Sequence, residues 1–151
     1  MGISVLEIHH HAIRVDAAPP RLDAVRNFYE GVLDLDVDPG RPTIAGVPGF
    51  WINTGASGQI HLIAGAQPSP LAKGPGQDPT IPHVALAVAD IQATKAELGR
   101  LGVSYWSMTG INGPQAEQVF VNDPCGNMIE LHQIDQCRCR AANRPDGAAN
   151  R

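Results

Sequence analysis

The sequence predicts an α+β domain built from two β-α-β-β-β modules carried on one chain. Two observations support this. The chain repeats itself: HHAIRVD at residues 10–16 returns as HVALAVAD from residue 83, and GQIHLI at 58–63 returns as GNMIEL at 126–131. The two halves also run through strand-like alternation, helical spacing and further alternation in the same order, separated by the Gly/Pro-rich stretch AGAQPSPLAKGPGQDPT. A chain of this length buries about 70% of its unfolded surface, enough for one stable core. The domain is placed at residues 1–136, with module one at 6–65, a linker at 66–80 and module two at 81–135.

Residues 8–15 alternate, with His11, Ile13 and Val15 on one face and His10, Ala12 and Arg14 on the other. Pro19 and Pro20 suit a helix start. Across 21–35, Leu22, Val25, Phe28, Tyr29, Val32 and Leu33 fall at helical spacing, which predicts a helix packed on one sheet face. Strands follow at 49–54 and 59–64 around a turn at Gly55–Gly58. In the second half, strand 82–88 leads to Asp90 as N-cap of a helix over 91–101. Strands are then expected at 103–107, 117–122 and 128–133, the last two joined by the DPCGN turn. Residues 137–151 (CRCRAANRPDGAANR) show no apolar face and are expected to form a mobile tail.

Composition excludes several function classes. Hydrophobic residues make up 43% and charged residues 17%, a globular balance. A net charge of −4 provides no basic footprint for nucleic acid. No apolar run approaches the roughly 18 residues of a membrane span, and the N-terminus lacks the pattern of a signal peptide. Cys125, Cys137 and Cys139 make neither a disulfide framework nor a Cys-x-x-Cys zinc pair, which fits a reducing cytoplasm.

The repeat pairs His10 with His83 and His61 with Glu130. Val84, Leu86 and Val88 match the helix-facing His11, Ile13 and Val15, so His10 and His83 point to the opposite, concave face. Ile60 and Leu62 match Ile129 and Leu131, which leaves His61 and Glu130 on that face too. A single histidine on a strand is more often structural than a ligand. Three imidazoles and one carboxylate at equivalent places on one surface suit a divalent ion: zinc, nickel, manganese, cobalt or iron(II).

The segments HHAIRV, FYEGVLDL, GQIHLI, HVALAV and DPCGNMIEL resemble the vicinal oxygen chelate superfamily over about residues 6–134. That group includes glyoxalase I, methylmalonyl-CoA epimerase, extradiol dioxygenases, fosfomycin-modifying thiol transferases and bleomycin-resistance proteins. The resemblance implies two modules paired into a cupped mixed sheet, often completed across a homodimer, with metal ligands at His10, His61, His83 and Glu130. It implies a glyoxalase-like lyase or isomerase whose substrate chelates the ion through two neighbouring oxygens, with Glu130 or His61 as the proton-handling group. The alternatives are an iron(II) extradiol dioxygenase, a thiol transferase using only His10, His83 and Glu130, or a protein that sequesters an antibiotic. His61 departs from the pattern, because glyoxalase-like relatives carry a carboxylate there and epimerase-like relatives a glutamine.

Other residues are candidates for contact with a small-molecule substrate. Arg14 shares a face with His10 and either meets a substrate carboxylate or ends its strand in solvent. Gln59 flanks His61, Trp51 and Asn53 lie on the neighbouring strand, and Gln118 lies on an inner strand. His132 follows Glu130 on the same face and either lines the cup or ends its strand at the surface. Trp106 and Tyr105 are expected in packing, Cys125 as an inert turn residue, and loop 66–80 as a lid.

Overall fold

The computed structural model describes residues 2–145. Seven strands form one mixed sheet: β1 Val5–Arg14, β2 Gly49–Asn53, β3 Gln59–Ile63, β4 His83–Val88, β5 Trp106–Thr109, β6 Glu117–Asn122 and β7 Met128–Gln133. Their order is β2-β3-β1-β4-β7-β6-β5. β1 pairs parallel with β3, and β4 pairs parallel with β7. The two modules meet along the antiparallel β1–β4 seam, so one repeats the other about a pseudo-two-fold. The expected α+β architecture is found.

Module one differs from its expected pattern. Its fourth strand shrinks to one bridge, Val37 to Ile52, where module two has β5. Pro39 and Pro42 follow that bridge and cannot donate to a ladder. β5 itself begins three residues later than expected, after a turn through Gly102 at φ 68°.

The expected helix over 21–35 is also corrected. It is α1, Pro19–Asn27, continued by a π-helical turn over Phe28–Val32. No residue of either piece is buried. Leu22, Val25 and Tyr29 are half-covered, while Phe28, Val32 and Leu33 are 49%, 68% and 47% exposed. The apolar stripe is present, but this chain covers only one side of it.

Module two packs as its pattern predicts. In α2, Ile91–Arg100, the Asp90 carboxylate accepts from the backbone N–H groups of Gln92 and Ala93 at 2.8 and 2.9 Å. Ile91 and Leu98 of α2 bury against Val88, Val119 and Leu131 on the convex side of the sheet. Trp106 stacks on Phe120 at 4.1 Å, as packing rather than chemistry.

The C-terminal segment overturns its expectation. Residues 137–145 run back across the sheet, with Cys137, Cys139 and Arg144 buried. Arg140 bridges to Ser57, Gly58 N–H donates to the Cys139 carbonyl at 2.8 Å, and Arg138 pairs with the buried Asp38 carboxylate at 2.7 Å. Backbone bonds and the ion pairs Arg138–Asp38 and Arg140–Glu7 anchor a segment that has no apolar face. The remainder of the expected tail, 146–151, lies outside the described residues.

Candidate metal centre

Strand register brings the ligand candidates together. Ala12 pairs with His61 on β3 and with His83 on β4, while His10 pairs with Gln59 and Ala85, and Ala85 with Glu130. Paired residues share a face, so His10, His61, His83 and Glu130 all project from the concave side. All four are buried. A bulge in β1 places two residues, His9 and His10, on this face, and leaves His11 exposed.

Three of the four converge. His83 Nε2 lies 3.0 Å from Glu130 Oε2, His10 Nε2 lies 3.4 Å from the same oxygen, and the two Nε2 atoms are 3.2 Å apart. His83 Nδ1 sits 2.6 Å from the Ile81 carbonyl, so Nδ1 carries the proton. Neutral His83 therefore aims its Nε2 lone pair at a carboxylate oxygen. Only a cation in the triangle, a proton or a metal ion, makes that contact attractive. Two imidazoles and a carboxylate fit a borderline divalent metal.

His61, expected as the fourth ligand, is placed differently. Its ring is stacked between Trp51 at 4.6 Å and His10 at 3.7 Å, but its Nε2 lies 2.9 Å from Gln59 Oε1. The Gln59 amide nitrogen donates to Asp38 Oδ2 at 3.0 Å and to Asn53 Oδ1 at 2.9 Å, so its oxygen must accept, and His61 Nε2 carries a proton. Arg138 anchors Asp38 in turn, which gives a relay Arg138–Asp38–Gln59–His61. A protonated Nε2 offers no lone pair to an ion, which leaves Nδ1 as the ring's acceptor atom, and His61 groups with His10 and Cys139, whose ligand atoms lie within 4.8 Å of one another.

The electrostatics follow from burial and from the neighbours of each group. Burial lowers His10 below its ordinary range, against the opposing pull of Glu130. Burial, with His10 alongside, drives His61 well down. Burial also acts to lower His83, but its bond to Glu130 outweighs this and raises it. Burial would raise Glu130, yet His10 and His83 hold it well below the usual carboxylate range.

A narrow cavity of about 50 Å³ opens onto the triangle. Trp51 and Gln118 are among the residues that line it. Gln118 Nε2 donates to Glu130 Oε1 at 3.0 Å, while Gln118 Oε1 is buried and has no hydrogen-bond partner among the described residues. The linker roofs the cavity through Leu71, Pro79 and Thr80. Asp78 fixes that loop by accepting from Ser69 and Thr80, through backbone N–H and hydroxyl in both cases. Beside the cavity lies an open cleft of about 600 Å³ between residues 111–116 and 135–145, and Ile111 lines both.

Other expected contacts fall elsewhere. Arg14 donates to the Gly65 carbonyl, and neither it nor Asn53, Gln59 or His132 lines the cavity. Asn53 and Gln59 serve the relay behind His61. His132 is fully buried rather than at the surface, with its ring 5.3 Å from that of His9. The cation that does line the cavity is Arg41, whose Nε is buried without a hydrogen-bond partner among the described residues. It follows a turn rather than a strand, so face periodicity carried no signal for it. Cys137 and Cys139 were also missed as site neighbours. Cys139 Sγ lies 3.4 Å from His10 Nδ1 and 3.9 Å from His61 Nε2.

Comparison with known proteins agrees with this architecture. The chain is 29% identical over 115 residues to "Glyoxylase I 4" of Arabidopsis thaliana, spanning 76% of this chain and 65% of that protein. Methylmalonyl-CoA epimerase from Mycobacterium tuberculosis superposes with a TM-score of 0.66 at 23% identity, covering 88% of this chain and 91% of that one. A Streptomyces coelicolor methylmalonyl-CoA epimerase variant in complex with 2-nitronate-propionyl-CoA gives 0.64 at 19%, covering 86% and 98%. At these identities the structures share the fold. The model of the Glyoxalase/Bleomycin resistance protein/Dioxygenase superfamily matches residues 7–131, and the chain belongs to that superfamily.

Proposed function

We propose that this chain is a divalent-metal-dependent, glyoxalase-like enzyme of the lyase or isomerase type, with His10, His83 and Glu130 as metal ligands. The supporting observation is the buried triangle of His10 Nε2, His83 Nε2 and Glu130 Oε2, which is cohesive only around a cation. An ion held there supplies Lewis acidity to two neighbouring substrate oxygens. Arg41 is assigned to meet an anionic group of the substrate and Gln118 a hydroxyl, an assignment supported by the lack of a hydrogen-bond partner for Arg41 Nε and Gln118 Oε1 among the described residues. Trp51, Ile44, Val47 and Leu71 keep water from the reacting atoms. Glu130 is the group assigned to take the substrate proton when its carboxylate loosens from the ion. His61, kept neutral by burial, holds its own proton on Nε2 against Gln59. The cavity has room for about one or two water-sized groups. The reacting head of the substrate is therefore small, and the neighbouring cleft is open to the rest of it.

Elemental analysis of the purified protein tests the ligand set. His83→Ala is expected to lose one ion per chain relative to the unsubstituted protein, and His61→Ala to lose none. An ion lost equally in His61→Ala would restore a four-ligand centre and sink the triangle assignment. A second reading is favoured by the withdrawal of His61 from the ligand set. Extradiol dioxygenases and thiol transferases use a His/His/Glu triad, and iron as the retained metal would move the assignment to oxygen chemistry.

The proposal extends to a homodimer in the cytoplasm. The three cysteines are free, and no helix among the described residues is long and apolar enough to cross a membrane. Phe28, Val32 and Leu33 expose an apolar stripe whose full burial would contribute about 1.5–3 kcal/mol per side chain. Val32→Glu is expected to halve the mass measured by light scattering, and a monomeric unsubstituted protein would refute the dimer.

A further inference from the structure

The triangle leaves a second set of ligand atoms on the concave face unused. The β1 bulge turns His9 inward, where it is fully buried, and the C-terminal segment brings two sulfurs to it. Cys137 Sγ lies 3.1 Å from His9 Nε2, and the Cys139 sulfur completes a group whose ligand atoms all lie within 4.8 Å of one another. The backbone N–H of Cys139 donates to Cys137 Sγ at 3.1 Å, a bond that favours a thiolate over a thiol. The segment carrying both sulfurs is pinned before any ion arrives. Gly58 N–H holds the Cys139 carbonyl, Asn143 Nδ2 holds the Cys137 carbonyl at 2.8 Å, and the Arg138 side chain between them grips Asp38. Two sulfurs and one imidazole, without a carboxylate among them, form a softer donor set than the nitrogen–oxygen triangle.

We infer that His9, Cys137 and Cys139 form a second metal site, separate from the His10/His83/Glu130 triangle, which takes a thiophilic cation of the zinc or copper(I) class and clamps the C-terminal segment onto β1. On binding, each thiol gives its proton to solvent and donates a sulfur lone pair, with no change of oxidation state. The two sites are linked through the backbone, because His9 and His10 are the consecutive residues of the bulge. An ion on His9 fixes the strand that presents His10 to the triangle. This inference does not depend on the reaction assigned above.

The test uses the full chain in reducing buffer with Cys125→Ser, which removes the exposed thiol. Zinc, copper(I) and cobalt(II) are offered separately, cobalt as a spectroscopic reporter. Two zinc ions per chain are expected, together with a thiolate-to-cobalt charge-transfer absorption. Adding Cys137→Ser and Cys139→Ser should remove one ion and the whole absorption. Glu130→Gln should remove the other ion and leave the absorption intact. Retention under chelator distinguishes zinc from copper(I) as the cation held more tightly. Absorption lost in Glu130→Gln would mean that the thiols serve the triangle's own ion, and an unchanged ion count in the double serine variant would mean that they bind nothing. Either result overturns the site. If the double variant does not fold, alkylation of the chain with both cysteines decides. Zinc at ten times its dissociation constant should slow modification of Cys137 and Cys139 about tenfold, in the Glu130→Gln background as well. No slowing refutes the site.

Discussion

Glu130→Gln should strip the ion from the triangle and remove turnover with it. The substitution keeps the shape of the side chain and its contact with Gln118, but deletes the carboxylate charge that faces both His10 and His83. Changes to groups that merely support a metal ligand cost about 10–100-fold in affinity, so loss of a charged ligand should cost at least about 100-fold. Elemental analysis after desalting, set beside activity on small oxygen-rich substrates, reads both effects. Retained metal with lost turnover would instead make Glu130 a proton carrier that does not bind the ion. The metal-free protein carries a second signature. Glu130 is held well below the usual carboxylate range, so it contributes stability above that range, which is lost as pH falls through the folded value. His10 and His61 sit below 6.5, so they weaken the fold once pH drops under that value, because only the unfolded chain protonates them easily. Melting temperature followed downward from neutral pH should show both limbs in the unsubstituted apoprotein. The carboxylate limb should be shallower in Glu130→Gln, with the part owed to Asp38 remaining.

The triangle was legible in the sequence because it depends on strand order and face alone. His10, His83 and Glu130 occupy repeat-equivalent strands, and a period of two places their side chains once the sheet is paired. The placement of His61 was legible in the same way, but the direction of its Nε2 was not. That direction is set by Gln59, whose amide is oriented by Asp38 and Asn53, and Asp38 is gripped by a residue one hundred positions away. No local pattern encodes such a chain. His9 was hidden for another reason. Strict alternation puts it beside His11 on the outer face, and only the bulge against β4 brings it in.

The two misread segments share a physical cause. Periodicity reports that a face is apolar and is silent about what covers it. It therefore found the stripe of α1 and overstated how far this chain buries it. The C-terminal segment is the converse case. It has no stripe, so it read as solvated, yet it docks through carbonyls, two ion pairs and two sulfurs. Burial of that kind leaves no hydropathy signal. Its one visible mark was the pair of cysteines a single residue apart.

Arg138→Ala is the substitution that should most damage the fold without touching the triangle. Asp38 is wholly buried, with side-chain exposure of 0% against 17% for Arg138. Burial pushes the Asp38 carboxyl up, but bonds from Arg138, Gly40 and Gln59 bring it net below its ordinary range. Removing the guanidinium leaves a buried carboxylate without its counter-ion, which costs about 3–5 kcal/mol for a fully enclosed pair. The partial exposure of Arg138 puts the expectation at about 3 kcal/mol, or a fall of about 10 °C in melting temperature. Gly40→Ala should act in the same direction by steric means, because a Cβ there would sit 2.0 Å from Arg138 Cζ. The guanidinium can swing aside, so about 1–2 kcal/mol is expected. The two effects should not add, because both break one contact; a double variant no less stable than Arg138→Ala alone would show this. Asp38→Asn should cost less than Arg138→Ala, since it leaves a cation that still reaches water. Above the carboxylate range the unsubstituted protein should hold its full advantage over Arg138→Ala, and the two should converge as pH falls through the depressed Asp38 value. An advantage that persisted in acid would mean that Arg138 acts through packing, and the relay from the C-terminal segment to His61 would then lack its electrostatic anchor.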